Sequence, residues 1–449
     1  MAFGTRVRAI AVVALTVALA ACSPSSDSSS SEPSEALTAD TGATTVTFRL
    51  WDEVAAPAYE ESFDAFMAQH PDIKVQVEVV PWADYWERLP LDLQSGDMAD
   101  VFWTNTSNFG RYADNGNLID VGAALGSDHD EWTESVVALY ERDGTLWGVP
   151  QLWDSIALYY NKDLVDAAGV DPTTLTWAPG GDPAAGDTLL AAAQALTTDS
   201  AGLRPTDEGF NKDSRATFGF NAQADLQAIY LDWLGSAGAI FQDEDGAFAF
   251  ASPEGVAAFQ YLVDMVNTWY VAPSAADTNT NGDITRDLFL QGKLALFQSG
   301  PYNLKTIADN ATFEWGLAPM VAGPEGRVSV VHGVAAVGNA DTENMSATVD
   351  VLKWLGSVEG QSALASRGIA FPGVVDAQQA FVDYWNERGV DVQVFIDAAN
   401  GSTIPAPVGP NVNAGANEIT PILQEMFLGT LPVAEALEQA QEAGNAAME

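Results

Sequence analysis

The chain has 449 residues, 47% of them hydrophobic, 10% aromatic and 18% charged. That is apolar material for about three ordinary domains or two large lobes, and too much for a disordered chain. With 62 acidic against 18 basic residues and a net charge of −44, the surface repels polyanions; nucleic acid is excluded as a partner and no basic patch is offered to a membrane. Three histidines (His70, His129, His332) and one cysteine (Cys22) are too few for a zinc, iron or copper centre and exclude an internal disulfide. No cofactor and no metal site is expected.

Residues 1–21 read as a secretory leader: Arg6 and Arg8, an apolar run from Ala9 to Leu19 too short to span a bilayer, then small residues before Cys22. Leu19-Ala20-Ala21-Cys22 resembles a bacterial lipobox, which implies cleavage before Cys22 and acylation of its thiol. Residues 22–43 follow as a tether; eight serines and two prolines between Ser23 and Glu35 build no core. The body is therefore expected outside the cytoplasm, held to the outer face of the cell membrane by the lipid on Cys22 alone. Free ATP is scarce there, and the chain has no phosphate loop of the Gly-x-x-x-x-Gly-Lys-Ser/Thr type.

Along the body, Val46–Leu50 alternates as a strand. Tyr59, Phe63, Phe66 and Met67 recur at helical spacing until Pro71, and Ile73–Val79 alternates as a second strand. Trp86, Leu89 and Leu93 mark a helix, and Asp100–Trp103 a buried third strand. A second alternating region starts at Ser155: a strand over Ile156–Tyr160, a helix over Lys162–Ala168 stopped by Gly169, and a breaker-rich loop over Ala178–Asp187. Next come a helix over Leu189–Leu196 and another capped by Ser252 with Pro253 in its first turn. Leu294–Phe297, Phe313–Leu317 and Val328–Val331 read as strands, Val349–Leu355 as a helix, and Ile419–Phe427 with Val433–Ala443 as a terminal helical pair. Strand and helix alternate, so the fold class is α/β with a mostly parallel sheet.

Several segments together resemble the carbohydrate-binding group of extracellular solute-binding proteins, the group of maltose-binding protein, which serve ATP-binding cassette importers. They are Val80-Pro81-Trp82 to Leu89, Ser95-Gly96-Asp97 to Trp103, Tyr112–Leu118, Leu158–Leu164 with Ala168-Gly169 and Thr176-Trp177, Gly292–Phe297 with Gly300-Pro301-Tyr302, and Ala434–Ala440. Ala99 departs from the pattern, standing where proline is usual. The resemblance covers about Val46 to Gln441. It implies a two-lobed periplasmic-binding-protein-like fold with a hinge and an interlobe ligand cleft, residues 44–153 and 335–389 forming lobe 1 and 154–334 and 390–449 lobe 2. The hinge is expected near Pro150–Ser155, His332–Ala336 and Gly389. The implied activity is binding, not catalysis: a monomer that takes a neutral mono- or oligosaccharide and delivers it to permease transmembrane subunits.

Sugars need aromatic planes for their C–H faces and carboxylates or amides for their hydroxyls. Trp51, Asp52 and Glu53 follow the first strand, where open α/β sheets bind ligands, so Trp51 and Glu53 are candidates, with helix capping the alternative for the two acids. The resemblance adds Trp103 and Asn105 after the third strand, Trp153 and Asp154 at the hinge, and Tyr302 after Gly300-Pro301; Trp233 is a further candidate platform in the second lobe. His332 and Gly333 enter at the second crossing, and Arg367 as a donor to hydroxyls. Trp103 packing beneath its loop and Arg367 in a surface ion pair are the plain alternatives. Trp82, Tyr85 and Trp86 read as structural. Two rival functions are a secreted glycoside hydrolase, needing two carboxylates about 5–10 Å apart across the scissile bond, and a binder of a non-sugar solute such as a polyamine, which acids and tryptophan would also cage.

Overall fold

The computed structural model describes residues 42–126, 129–409 and 411–449. The leader, Cys22 and all but the end of the tether lie outside the described residues. Among those described, no helix is long and apolar enough to cross a membrane.

The strands are β1 (Thr44–Leu50), β2 (Ile73–Val79), β3 (Val101–Asn105), β4 (Glu141–Arg142), β5 (Thr145–Leu146), β6 (Val149–Asp154), β7 (Ala157–Asn161), β8 (Thr198–Asp199), β9 (Arg215–Phe220), β10 (Leu294–Ser299), β11 (Trp315–Ala318), β12 (Val328–Val330), β13 (His332–Gly338), β14 (Phe371–Pro372) and β15 (Ser402–Ile404). A six-stranded sheet runs β14-β6-β13-β3-β1-β2 and a five-stranded one β11-β7-β10-β9-β8; β12 and β15 pair separately. β1 lies parallel to β2 and β3, as the strand–helix alternation predicts. β13 instead enters antiparallel between β3 and β6.

Local chemistry explains the elements nearest the site. Val46, Phe48 and Leu50 of β1 are fully buried. On the other face Arg49 is also buried; it pairs with Glu78, its register partner on β2, at 2.8 Å and with Asp92 at 2.6 Å. Helix α1 (Ala56–Gln69) starts at a proline and buries Tyr59, Phe63 and Phe66. Helix α2 (Trp82–Ser95) ends on Gly96 in the left-handed conformation. In the second half, Ser252 accepts from the Gly255 N–H and Pro253 opens helix Pro253–Asn267, as the sequence predicts.

One apolar core centres on the six-stranded sheet and continues through Tyr159, Phe297 and Phe395; another is built around Phe220, Trp233, Tyr261 and Leu437. The chain passes between the sheets at Ser155–Ile156, at Val331, and on the way from helix Val375–Asn386 to β15. The sequence reading puts the second passage at His332–Ala336. Those residues are the first five of β13, every one buried, and Val331 immediately before them links β12 to β13. The three strands of chain are tied together: Ser155 Oγ donates to the Phe395 carbonyl at 2.7 Å, and Ser329 Oγ accepts from the Ile156 N–H at 3.1 Å.

Candidate ligand-binding site

At the carboxyl end of β1 the half-buried Trp51 ring is surrounded by aromatic rings: Trp103 at 4.9 Å between centroids, Tyr85 at 5.1 Å, Trp82 and Trp86 at 5.3 Å. Trp103 is 1% exposed and forms the floor beneath Trp51, which corrects its expected role as a platform. The Tyr85 hydroxyl donates to the Trp103 carbonyl at 2.6 Å and fixes that floor. Trp82 is 52% exposed and forms the outer wall of this cluster. Asp52 holds the turn just before α1, accepting from the Val54 and Ala55 N–H groups, and burial nevertheless pushes its carboxyl above the ordinary range. Glu53 is exposed beside it.

Asn105 precedes helix α3 (Thr106–Asp114) and accepts from Asn108 Nδ2 at 2.7 Å. Asn108 Oδ1 in turn accepts from Asn413, on helix Val412–Phe427, so this corner of the first half touches the second. Neither Asn108 nor Asn413 belongs to a motif that sequence reading could single out.

Trp153 and Asp154 end β6. Trp153 is stacked on Phe371, 4.7 Å between centroids, and its buried indole N–H has no acceptor. Asp154 is 8% exposed and accepts from Gln227 Nε2 at 2.6 Å. Burial raises its carboxyl to about 7, the Gln227 hydrogen bond opposing only part of that. Gln227 reaches Asp154 from a wide helical turn, Leu226–Tyr230, in which the Tyr230 N–H bonds the Asp225 carbonyl five residues back. Such widened turns re-aim side chains and often lie at functional sites. Asp225, which opens the turn, is half-buried and its carboxyl is likewise raised by burial.

Tyr302 follows Gly300-Pro301. Its ring is 46% exposed, yet desolvation raises its hydroxyl, with Asp225 and Asp154 close enough to add to the effect. Exposure and desolvation agree when a ring stands in the wall of a cleft, open to water and flanked by protein. The Tyr159 hydroxyl anchors the Gly300 carbonyl at 2.7 Å, and the Tyr302 ring folds back over Gly300, where a Cβ would be driven into it. Gly300→Ala should therefore swing the exposed ring outward. The expected result is a melting temperature close to wild type and an affinity lowered about tenfold, the scale of one aromatic contact; calorimetry on the same preparation checks both.

Three further expected residues are corrected. Trp233 is 2% exposed, packed on Trp177 at 4.9 Å and Tyr261 at 5.3 Å; it is core. The Gly333 backbone is spent internally: its N–H donates to Thr106 Oγ1, and its carbonyl accepts from the Tyr140 and Thr106 hydroxyls. Arg367 is held in an ion pair with Glu61 of α1. His332 is the register partner of Asp154, 8% exposed, with Nε2 unpartnered; burial lowers its imidazole to about 4, so it is neutral.

Among the described residues no three His, Cys, Asp or Glu are grouped to hold a metal ion. A cavity of about 560 Å³ lined by Asp120, His129, Trp132 and Glu141 shares no residue with this site.

The family model described as "Bacterial extracellular solute-binding protein" matches residues 51–362. The crystal structure of M. tuberculosis UspC is 46% identical with a TM-score of 0.73, covering 90% of this chain and 100% of that one. A maltooligosaccharide ABC transporter solute-binding lipoprotein of Streptococcus pneumoniae R6 is 24% identical over 356 residues, 76% of this chain and 75% of its own. The Listeria monocytogenes substrate-binding protein solved with cycloalternan is 22% identical with a TM-score of 0.77, covering 90% of this chain and 99% of that one; at that identity it speaks for the fold alone, which is two-lobed. The model match spans well over half of the chain, and the family is one of binding proteins, not enzymes. This chain is a member of the bacterial extracellular solute-binding protein family.

Proposed function

We propose that the protein is the receptor of an ATP-binding cassette importer for a mono- or oligosaccharide, anchored outside the cell membrane through Cys22, acting as a monomer and handing its ligand to the permease unchanged. One observation carries the reading. Exposed aromatic rings stand at the edges of the two halves, Trp82 with half-buried Trp51 on one and Tyr302 on the other, beside desolvated carboxylates. Rings supply planes for C–H faces and carboxylates accept hydroxyl hydrogen bonds, which are stronger to a charged acceptor. The maltooligosaccharide and arabinooligosaccharide relatives support the sugar class.

On this reading the lobes divide at Ser155–Ile156, at Val331 and in the segment after Gly389, and closure is hinge motion about those passages. Only a ligand that contacts both lobes at once favours the closed form. A thermal-shift panel of mono- and oligosaccharides tests it. A ligand at about 100 times its Kd stabilises by about 2.7 kcal/mol, which is several degrees. A panel with no shift, or release of reducing ends from an oligosaccharide, overturns the reading.

A further inference from the structure

Away from the three passages, two side-chain hydrogen bonds join the halves among the described residues. One is the neutral pair Asn108–Asn413. The other runs from Gln227 Nε2 to Asp154 Oδ1 at 2.6 Å. Asp154 is the last residue of β6 in the first sheet, immediately before the passage at Ser155. Gln227 stands in the wide turn Leu226–Tyr230, whose Ala228, Ile229 and Tyr230 are buried in the second core. The bond therefore crosses the hinge, and once Asp154 is ionised it is roughly twice as strong as a neutral one.

Gln227 is the donor that the chain itself gives this carboxyl. Asp154 is 8% exposed, and its Oδ2 accepts from no group among the described residues. A carboxylate buried this far requires donors. At its other end Gln227 is loosely held. Its side chain is half-buried, and its Oε1 accepts from no group among the described residues. Its backbone is fixed, because Asp225 Oδ1 accepts from the Ala228 N–H and the Asp225 carbonyl from the Tyr230 N–H. The side chain can thus leave Asp154 by rotating about its own bonds, and it regains rotamer freedom when it does. A sugar hydroxyl offers Asp154 Oδ1 the same kind of donor as the glutamine amide.

We propose that Gln227 is a positioning residue that acts through Asp154: before ligand arrives it props the two halves by occupying the acceptor that a ligand hydroxyl requires, and binding exchanges it for ligand. The exchange rests on the saccharide reading above; the prop does not. The exchange also selects among ligands. One that takes Asp154 without touching the second half removes the prop and puts nothing in its place, whereas one that spans to Tyr302 restores the link.

Asp64 of α1 and Gln260 of helix Pro253–Asn267 are exposed and lie in opposite halves. Spin labels at Asp64→Cys and Gln260→Cys, in the mature chain carrying Cys22→Ser, report the distance between the halves by pulsed electron resonance with no ligand added. At pH 8, adding Gln227→Ala is expected to at least double the width of the distance distribution. An unchanged distribution overturns the prop.

Titration calorimetry with glucose, cellobiose and maltotriose reads the exchange. Gln227→Ala is expected to melt lower than wild type at pH 8 yet to bind about five- to tenfold tighter, the scale of one charge-assisted hydrogen bond that no longer has to be given up. A merely structural residue would lower both. Gln227→Asn, one methylene shorter, is expected to match alanine and stands in for it if alanine fails to fold. Weaker binding in these variants makes Gln227 a direct ligand contact, and equal binding leaves ligand on another acceptor; either overturns the exchange. No binding of any of the three saccharides by wild type or variant counts against the saccharide reading and the exchange with it, while the prop is still decided by the distance distribution.

Discussion

Asp154→Asn is expected to raise the melting temperature of the ligand-free protein at pH 8 and to abolish the ligand-induced shift. The carboxyl is 8% exposed and raised by burial to about 7, against an ordinary value of 3.8. Between those values the folded state holds a proton that the unfolded chain releases. Folding is therefore favoured at low pH, and this contribution is lost as pH rises through about 7. Above that the folded protein carries a buried, uncompensated charge. Asparagine removes the charge, and its amide oxygen still accepts from Gln227. The gain is on the order of 2–4 kcal/mol at pH 8 and vanishes near pH 4.

Neighbouring groups shape the same curve. Asp225 and Asp232 are also raised and act in the same direction. Tyr140, Tyr159 and Tyr302, raised too, stay protonated throughout the range. His332, lowered to about 4, acts oppositely below its ordinary 6.5. The wild-type-minus-variant difference, measured by thermal denaturation from pH 4 to 8.5, isolates Asp154. A variant less stable than wild type at pH 8 would show that the carboxylate is compensated after all. On the proposed reading, Asp154 holds stability back in exchange for binding, a familiar trade.

Much of the scaffold was legible in the sequence because its signals are local. The Gly169 stop, the Ser252 cap with Pro253, and the alternation of β1 and β2 each depend on a few neighbouring residues, and each is found. β13 was not legible as a strand of the first sheet, because its small buried residues carry no alternation and its place is fixed by pairing with β3 and β6 far along the chain. The same limit governs the site. Trp233 and Trp82 are the same residue type, and only packing across distant elements makes one core and the other wall. Gln227 belongs to no motif; it meets Asp154 only because the wide turn Leu226–Tyr230 carries it there. Desolvation of Asp154 is likewise a property of three passages of chain converging.

The tryptophans are expected to separate by exposure. Trp233→Ala should cost about 3–5 kcal/mol of stability, the usual range for emptying a buried aromatic position. Trp51→Ala, half-buried and touching four rings, should cost less, about 2 kcal/mol, because part of its surface is already in water. Trp82→Ala, 52% exposed, should change stability by under about 1 kcal/mol. Affinity should follow a different order. Trp82 and Trp51 face solvent at the end of β1 and should each cost at least tenfold, whereas folded Trp233→Ala should bind within about threefold of wild type once its lower stability is allowed for. Urea denaturation and calorimetry on the same three variants read both scales. If binding losses tracked stability losses, the aromatic cluster would be a structural plug and the ligand would lie elsewhere; if Trp82→Ala alone lost affinity while keeping its stability, the exposed ring would be a platform, because removing it leaves no cavity behind.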